Sequence, residues 1–363
     1  MKINPFCLSS FLTFRHVVKT DEFWTKNIKP NFFNFNSANN KIAVKTSEDI
    51  LTALKKIISE NIAPDTGILL SGGIDSAILA KLVPKTVKAY TIKFIAENAI
   101  DEIELATKYA KECGLNHKII EVTKEDYFGS RLTRLMLNKV APLTGVEVAL
   151  FKASSEAKKD GVKTLIVGCS ADGLFGGLDK MLSRDWKTKE FQDWFTFVDP
   201  KKVLKNSVDL SNFFTNCATN GNFDAQEFIK QIFGKDTTLA FQNGITSAGV
   251  DIFAPYAHLN LGIELDLSRI RAGESKYLIR EVFKTLYPGW EIPEKIAFAR
   301  PMDQWLKDWK GPTRPEFRTD FDINKFSGKE KWLMFCLEKF LDLIDQGFFD
   351  ILETTEMTNP EKF

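Results

Sequence analysis

The sequence predicts an α/β protein: a parallel sheet with helices on both faces, followed by a mostly helical second half. Three observations carry this. From Thr46 to Gly168, short apolar runs alternate with helix-spaced segments, the pattern of βα units. Two glycine-rich stretches, "SGGIDS" and "GCSADGLFGG", each follow such a run directly. Beyond about Lys180, strand-like runs become scarce and helical spacing dominates.

Each element has its own signal. Pro5–Phe14 ("PFCLSSFLTF") is apolar, is flanked by Lys2 and Arg15, and lacks a small-residue cleavage site, so a packed strand or helix is expected rather than a secretory leader. Thr46–Ile62 places Ile50, Leu51, Leu54, Ile57 and Ile58 at helical spacing, with Ser47 as the candidate cap. Gly67–Leu70 reads as a buried strand and Ala77–Val83 as the helix after it. Val87–Phe94 alternates and is a second strand. Asp101–Cys113 is helical, with acids in its first turn and Gly114 as a stop. His117–Val122 is a third strand, Glu147–Lys159 a helix and Lys163–Gly168 a fourth strand. Further on, helices are expected over Ala225–Phe233, Leu259–Ile270, Ser275–Leu286 and Lys331–Leu343, with polar linkers near Lys201–Asn212 and Gly311–Asp320. The last residues, "ETTEMTNPEKF", are expected to be a loose tail.

Composition narrows the function. With 363 residues, 44% hydrophobic and 27% charged, the chain can bury a sizeable core and is expected to form two domains rather than one. A net charge of +1 gives no overall pull toward nucleic acid or a membrane surface. The 5 cysteines (Cys7, Cys113, Cys169, Cys217, Cys336) show no CxxC spacing and read as reduced thiols of a cytoplasmic protein. The 3 histidines (His16, His117, His258) are too dispersed for a histidine metal cluster. No apolar run approaches the length of a membrane span.

The chemistry sits in the glycine-rich stretches. In open α/β sheets ligands bind at the carboxyl ends of the strands, so both stretches should converge on one crevice. Consecutive glycines let successive backbone N–H groups turn toward an anion. The helix after "SGGIDS" adds its positive end, and Ser71 and Ser76 add hydroxyls. No Walker pattern occurs in the chain. Asp75 would repel a phosphate unless a cation lies between them, and Mg²⁺ is the simplest such cation.

Ser-Gly-Gly-x-Asp-Ser after a strand resembles the pyrophosphate-binding loop of the ATP pyrophosphatases, which cleave ATP to AMP and pyrophosphate. "GCSADGLFGG" resembles the asparagine synthetase signature Gly-Glu-Gly-x-Asp-Glu-x-Phe-Gly-Gly-Tyr through Gly168, Asp172, Phe175, Gly176 and Gly177. "YTIKF" (Tyr90–Phe94), the Asp101–Glu102 pair with "GLNH" (Gly114–His117), "GVDIFAPY" (Gly249–Tyr256) and "SKYLIREVF" (Ser275–Phe283) fall in order with that family, the last two in its helical lobe. The resemblance covers about Leu51 to Leu306. It implies a PP-loop domain of the adenine nucleotide α-hydrolase-like (HUP-like) fold over residues 46–200 and a helical lobe over 201–363. Residues 1–45 would be a remnant of the linker that in the family follows an N-terminal glutaminase domain.

The resemblance also implies a mechanism and assigns residues to it. ATP and a substrate carboxylate form an acyl-adenylate, which an amine or ammonia then attacks. Asp75 and Asp172 would hold Mg²⁺ against the phosphates. Ser71, Gly72, Gly73 and Ser76 would hold the leaving pyrophosphate. Leu69, Ile92 and Gly168 would line the adenine and ribose pocket. Lys295, in "PEKIAFARPMDQWL", would stabilise the α-phosphate and the anionic intermediate.

Departures from the family bear on the substrate. Residue 2 is Lys2 rather than the glutaminase cysteine, so Cys7 is expected to be a buried thiol. Nitrogen would come from free ammonia, a separate glutaminase subunit or an amine on another substrate. Cys169 stands where asparagine synthetases carry glutamate and β-lactam synthetases tyrosine, beside the acyl-adenylate. Gly173, Leu178, Asp251, Phe253 and His258 replace the family's Glu, Tyr, Glu, Arg and Asp. The reading is therefore an AMP-forming ligase that makes an amide in a specialised biosynthetic pathway, as a cytoplasmic protein open to homo-oligomerisation. The alternatives are a lactam-forming cyclase, ammonia-dependent asparagine synthesis and a non-catalytic nucleotide-binding partner of a glutaminase.

Overall fold

A computed structural model describes residues 2–33, 41–97, 99, 102–219, 222–294 and 300–349. Its centre is a five-stranded, all-parallel sheet: β1 (Thr66–Leu69), β2 (Lys88–Phe94), β3 (Asn116–Val122), β4 (Thr164–Ile166) and β5 (Asp251–Phe253), in the order β3-β2-β1-β4-β5. Ile68 of β1 is in register with Ala89 on one side and Ile166 on the other. The order reverses between β1 and β4. The crevice of a doubly wound sheet opens at that point, and both glycine-rich stretches leave the sheet there.

The helices include α1 (Pro5–Phe14), α2 (Ser47–Asn61), α3 (Ile74–Leu82), α4 (Ile103–Cys113), α5 (Glu147–Lys159), α6 (Gly234–Thr246), α7 (Tyr277–Leu286) and α8 (Gly328–Asp345), with others between them, among them Ser130–Lys139. Helix α2 starts in a capping box: the Thr46 side chain accepts from Asp49 N at 3.1 Å and Asp49 Oδ2 accepts from Thr46 N at 3.0 Å. Thr46 is therefore the cap and Ser47 the first helical residue, because only Thr46 has an aspartate three places on. One face of α2 buries Ile50, Ala53, Leu54, Ile57 and Ile58 with α3 and α7 in one core. Across the sheet, α5 and α6 bury Leu150, Ala153, Ala157 and Ile245 against Tyr90, Ile120 and Leu165. The sheet is thus covered on both faces, as its apolar strands require.

Helix α1 lies in a further core with α8: Cys7, Leu8, Phe11 and Leu12 pack with Leu337, Phe340 and Leu341. Burial pushes the Cys7 thiol up to about 12, which makes it an inert packed group.

The second half differs from expectation in three places. Asp251–Phe253 is the edge strand β5, paired in parallel with β4, rather than part of a helical lobe. Leu259–Ile270 is not one helix: Leu259–Leu261 pairs in parallel with Ile42–Val44, and only Leu267–Arg271 is helical, capped by Asp266 accepting from Arg269 N. The physical reason is legible afterwards. Leu259, Leu261, Ile263, Leu265 and Leu267 alternate strictly, a period of two. Ala225–Phe233 runs on: a turn of π-helix at Ile229–Phe233 joins Ala225–Phe228 to α6 without a break. The two polar linkers meet, Leu204 bridging to Phe317 and Lys205 N donating to Glu316 O.

Candidate functional site

The site is built on the carboxyl ends of β1 and β4. After β1 the chain turns through Ser71, Gly72 and Gly73 and enters α3 at Ile74, with Gly73 as its N-cap. Ser71 N donates to Ser76 Oγ at 3.0 Å, Gly73 N donates to Ser71 Oγ at 3.1 Å, and the two hydroxyls lie 2.9 Å apart. This fixes the loop before any ligand arrives. Neither glycine has a positive φ, so neither is needed for a left-handed turn. Gly72 is needed for closeness: a Cβ there would lie 2.7 Å from Glu102 Cβ, and Gly72 N donates to Glu102 Oε2 at 3.3 Å. Burial raises the Glu102 carboxyl above its usual range, with the Gly72 bond pulling the other way.

After β4, Gly168 packs on the first motif, where a Cβ would sit 3.2 Å from Asp75 Cβ and 3.3 Å from Ser76 N. Cys169 follows, half-buried, its thiol pushed up to about 12 by burial. Ser170 is left-handed (φ 76°), a conformation that costs an L-residue about 1–2 kcal/mol. The family signature carries glycine at this place. Asp172 then lies in the first turn of a short helix, Ala171–Leu174.

The two motifs meet on a lysine. Lys276 Nζ lies 2.5 Å from Asp75 Oδ2 and 2.8 Å from Asp172 Oδ1, and the residue is only 7% exposed. Burial alone would push the ammonium down; the two carboxylates outweigh it and hold it above its usual value. Gly177 makes this convergence possible, since a Cβ there would overlap Asp172 Oδ1 and lie 2.8 Å from Lys276 Cδ. Tyr256 holds the first motif from below: its hydroxyl donates to Asp75 O at 3.1 Å and its ring packs on Phe175.

A crevice of about 1560 Å³ opens over these residues. Leu69, Ser71, Gly73, Asp75, Ser76, Ile92, Gly168, Cys169 and Asp172 all line it. Gly72 does not, since it faces Glu102. Lys295 lies outside the described residues; its neighbours Pro293 and Glu294 line the crevice. Asp251, Phe253 and His258, expected to shape substrate choice, are not on the crevice wall; Phe253 and His258 instead pack edge to face at 5.7 Å. The wall includes Glu102, Tyr256 and Lys276, none of which the sequence reading assigned a role. Lys276 stands 201 residues from Asp75, so nothing local marks the pair. Its signal in the sequence was the lysine of "SKYLIREVF", directly before the helical run Tyr277–Leu286.

No group of three or more His, Cys, Asp and Glu side chains that could hold a metal occurs among the described residues. The pair Asp75 and Asp172 still fits a hard divalent cation. Two carboxylates from separate loops converge on one positive centre, here the ammonium of Lys276. Mg²⁺ is commonly held by one or two carboxylates and completes its shell with substrate phosphates and water.

Residues 63–243 match the asparagine synthase family model. A putative glutamine-hydrolyzing asparagine synthetase 1 of Methanocaldococcus jannaschii is 32% identical over 117 residues, which are 31% of this chain and 21% of that protein. The chain thus spans about a fifth of the length of that relative. Among solved structures, an NH3-dependent NAD synthetase from Campylobacter jejuni aligns over 36% of this chain and 58% of its own at 20% identity, with a TM-score of 0.24. An NMN synthetase from Francisella tularensis aligns over 70% and 97% at 17% identity, with a TM-score of 0.26. Among the described residues no helix is long and apolar enough to cross a membrane. The parallel sheet, the two glycine-rich turns at its switch point and the family match together identify a PP-loop, ATP-pyrophosphatase-type ligase domain related to the asparagine synthetases.

Proposed function

We propose that the chain adenylates a substrate carboxylate with ATP, releasing pyrophosphate, and passes the acyl group to an amine or ammonia to form an amide. The observation that carries this is the convergence of Asp75 and Asp172, from two loops at adjacent strand ends, on one cationic centre over the Ser71–Ser76 loop. The Ser71 and Ser76 hydroxyls and the α3 N-terminus bind the departing β and γ phosphates. Magnesium, when bound between Asp75 and Asp172, supplies positive charge to the phosphates. Leu69 and Ile92 give the adenine an apolar wall, and Gly168 lets the ribose approach the backbone.

Cys169 stands beside the acyl group. A thiol pushed up to about 12 stays protonated at neutral pH, so Cys169 acts by size and weak hydrogen bonding rather than as a nucleophile. Lys295 serves as the cation at the α-phosphate. The acceptor nitrogen is free ammonia, ammonia from a separate glutaminase subunit, or a substrate amine.

The test is ATP–pyrophosphate exchange across a panel of carboxylates with Mg²⁺, followed by amide formation with and without ammonia. Exchange that needs the carboxylate but not the amine is expected. Asp172→Asn should lower it by about 100-fold or more, the scale of removing a charge-stabilising group from a transition state. A protein that binds ATP but exchanges with no carboxylate would favour a non-catalytic nucleotide-binding role.

A further inference from the structure

Lys276 precedes α7 in a left-handed conformation (φ 53°), with its ammonium buried between two carboxylates. Desolvating an ammonium is costly and is tolerated here because Asp75 and Asp172 flank it. Those carboxylates are the pair that the proposed reaction needs for its divalent cation, and the present inference rests on that reading. Mg²⁺ binds oxygen at about 2.0–2.1 Å. A divalent ion between the same two carboxylates would therefore be pressed against the ammonium. The two cations exclude each other.

We propose that Lys276 is a placeholder cation. It holds Asp75 and Asp172 together before nucleotide arrives, then yields their carboxylates to the metal that enters with ATP and turns its ammonium to the phosphate oxygens. The side chain suits this, being a compact charge on a flexible four-carbon stem, and it already lines the crevice. Free divalent cation is then a poor ligand, because it must expel the ammonium with no phosphate to receive it. Nucleotide supplies both the missing oxygen ligands and the new partner for Lys276. Metal and nucleotide binding are thereby coupled, each strengthening the other.

The experiment is titration of Mn²⁺ into the metal-stripped full chain, with free Mn²⁺ read by electron paramagnetic resonance. Wild type should bind weakly without nucleotide and more tightly with a non-hydrolysable ATP analogue. Lys276→Met should bind Mn²⁺ without nucleotide about tenfold tighter than wild type, the penalty imposed by a placeholder that fills the site about nine-tenths of the time. Lys276→Arg, which keeps the cation, should stay as weak as wild type. Adding Asp172→Asn to Lys276→Met should remove the gain, which places the ion at the carboxylate pair. A merely structural lysine predicts the opposite sign, weaker Mn²⁺ binding once it is removed. Wild type that binds Mn²⁺ equally well with and without nucleotide would overturn the proposal, even if Lys276→Met failed to fold. So would a folded Lys276→Met no tighter than wild type. Carboxylate-dependent pyrophosphate exchange by wild type, measured alongside, separates the two readings. Exchange without the coupling sinks the placeholder alone; the coupling without exchange sinks the ligase reading alone.

Discussion

At the scale of single residues, the site depends on side chains that are absent. Gly177 has no Cβ, and that gap lets Asp172 and Lys276 meet. Gly177→Ala should push them apart, lowering pyrophosphate release by about 100-fold, as small misplacements at reacting centres do. Overpacking should cost about 1–3 kcal/mol of stability in a urea titration. A variant with full activity would show that the contact does not matter to the chemistry. Cys169 gives a second prediction. With its thiol pushed up to about 12, it should react slowly with iodoacetamide at pH 8, and Cys169→Ser should retain exchange activity. Rapid alkylation of Cys169, followed by mass spectrometry, would restore a nucleophilic role. The residues legible in sequence were those whose type and place encode chemistry: serines, glycines and aspartates directly after strands. Lys276 and Tyr256 were not legible. Their contacts with Asp75 reach across 201 and 181 residues, about half of the chain, and each looks locally like ordinary helix or turn sequence.

At the scale of elements, long segments with one clear period were readable. Glu147–Lys159 spans the residues its pattern gives, and the edges of α2 and β2 fall within a residue of expectation. The short strands of the second half were lost. Asp251–Phe253 has three residues, too few for a period, and exists because β4 offers it an open edge. Leu259–Ile270 fits helical spacing at Leu259, Ile263, Leu267 and Ile270 and strand spacing at alternate residues; pairing with Ile42–Val44 decides it. The α2 cap belongs to this scale. Thr46→Ala removes the capping hydroxyl and should lower stability by about 1 kcal/mol, measured by urea unfolding. A change of Ser47→Ala of the same size would contradict the assignment, since Ser47 does not cap the helix.

At the scale of the whole molecule, a buried ion pair joins the end of the helix Ser130–Lys139 to the start of α5. Lys139 Nζ lies 2.7 Å from Glu147 Oε1, and both side chains are almost fully buried. Burial alone would push the Glu147 carboxyl up; the ammonium and backbone N–H donors including that of Thr144 outweigh it and hold it below the usual carboxylate range. A carboxyl depressed in the folded state contributes stability that is complete above its unfolded value, about 4.3. That contribution is lost as pH falls through the folded value. Lys139→Met leaves the carboxylate buried without its ammonium and should cost about 3–5 kcal/mol at pH 7. Its Glu147 then takes up a proton more readily than in the unfolded chain, so the gap to wild type should narrow as pH falls toward 4. A gap independent of pH would show that the loss is one of packing rather than charge.

The proposed reaction turns on cleavage of ATP between its α and β phosphates over the Ser71–Ser76 loop. Phosphorus NMR of a reaction containing ATP, Mg²⁺, ammonia and a carboxylate active in exchange tests this most directly. AMP and pyrophosphate are expected in equal amounts, both lost in Asp172→Asn. ADP and inorganic phosphate as the products would contradict it.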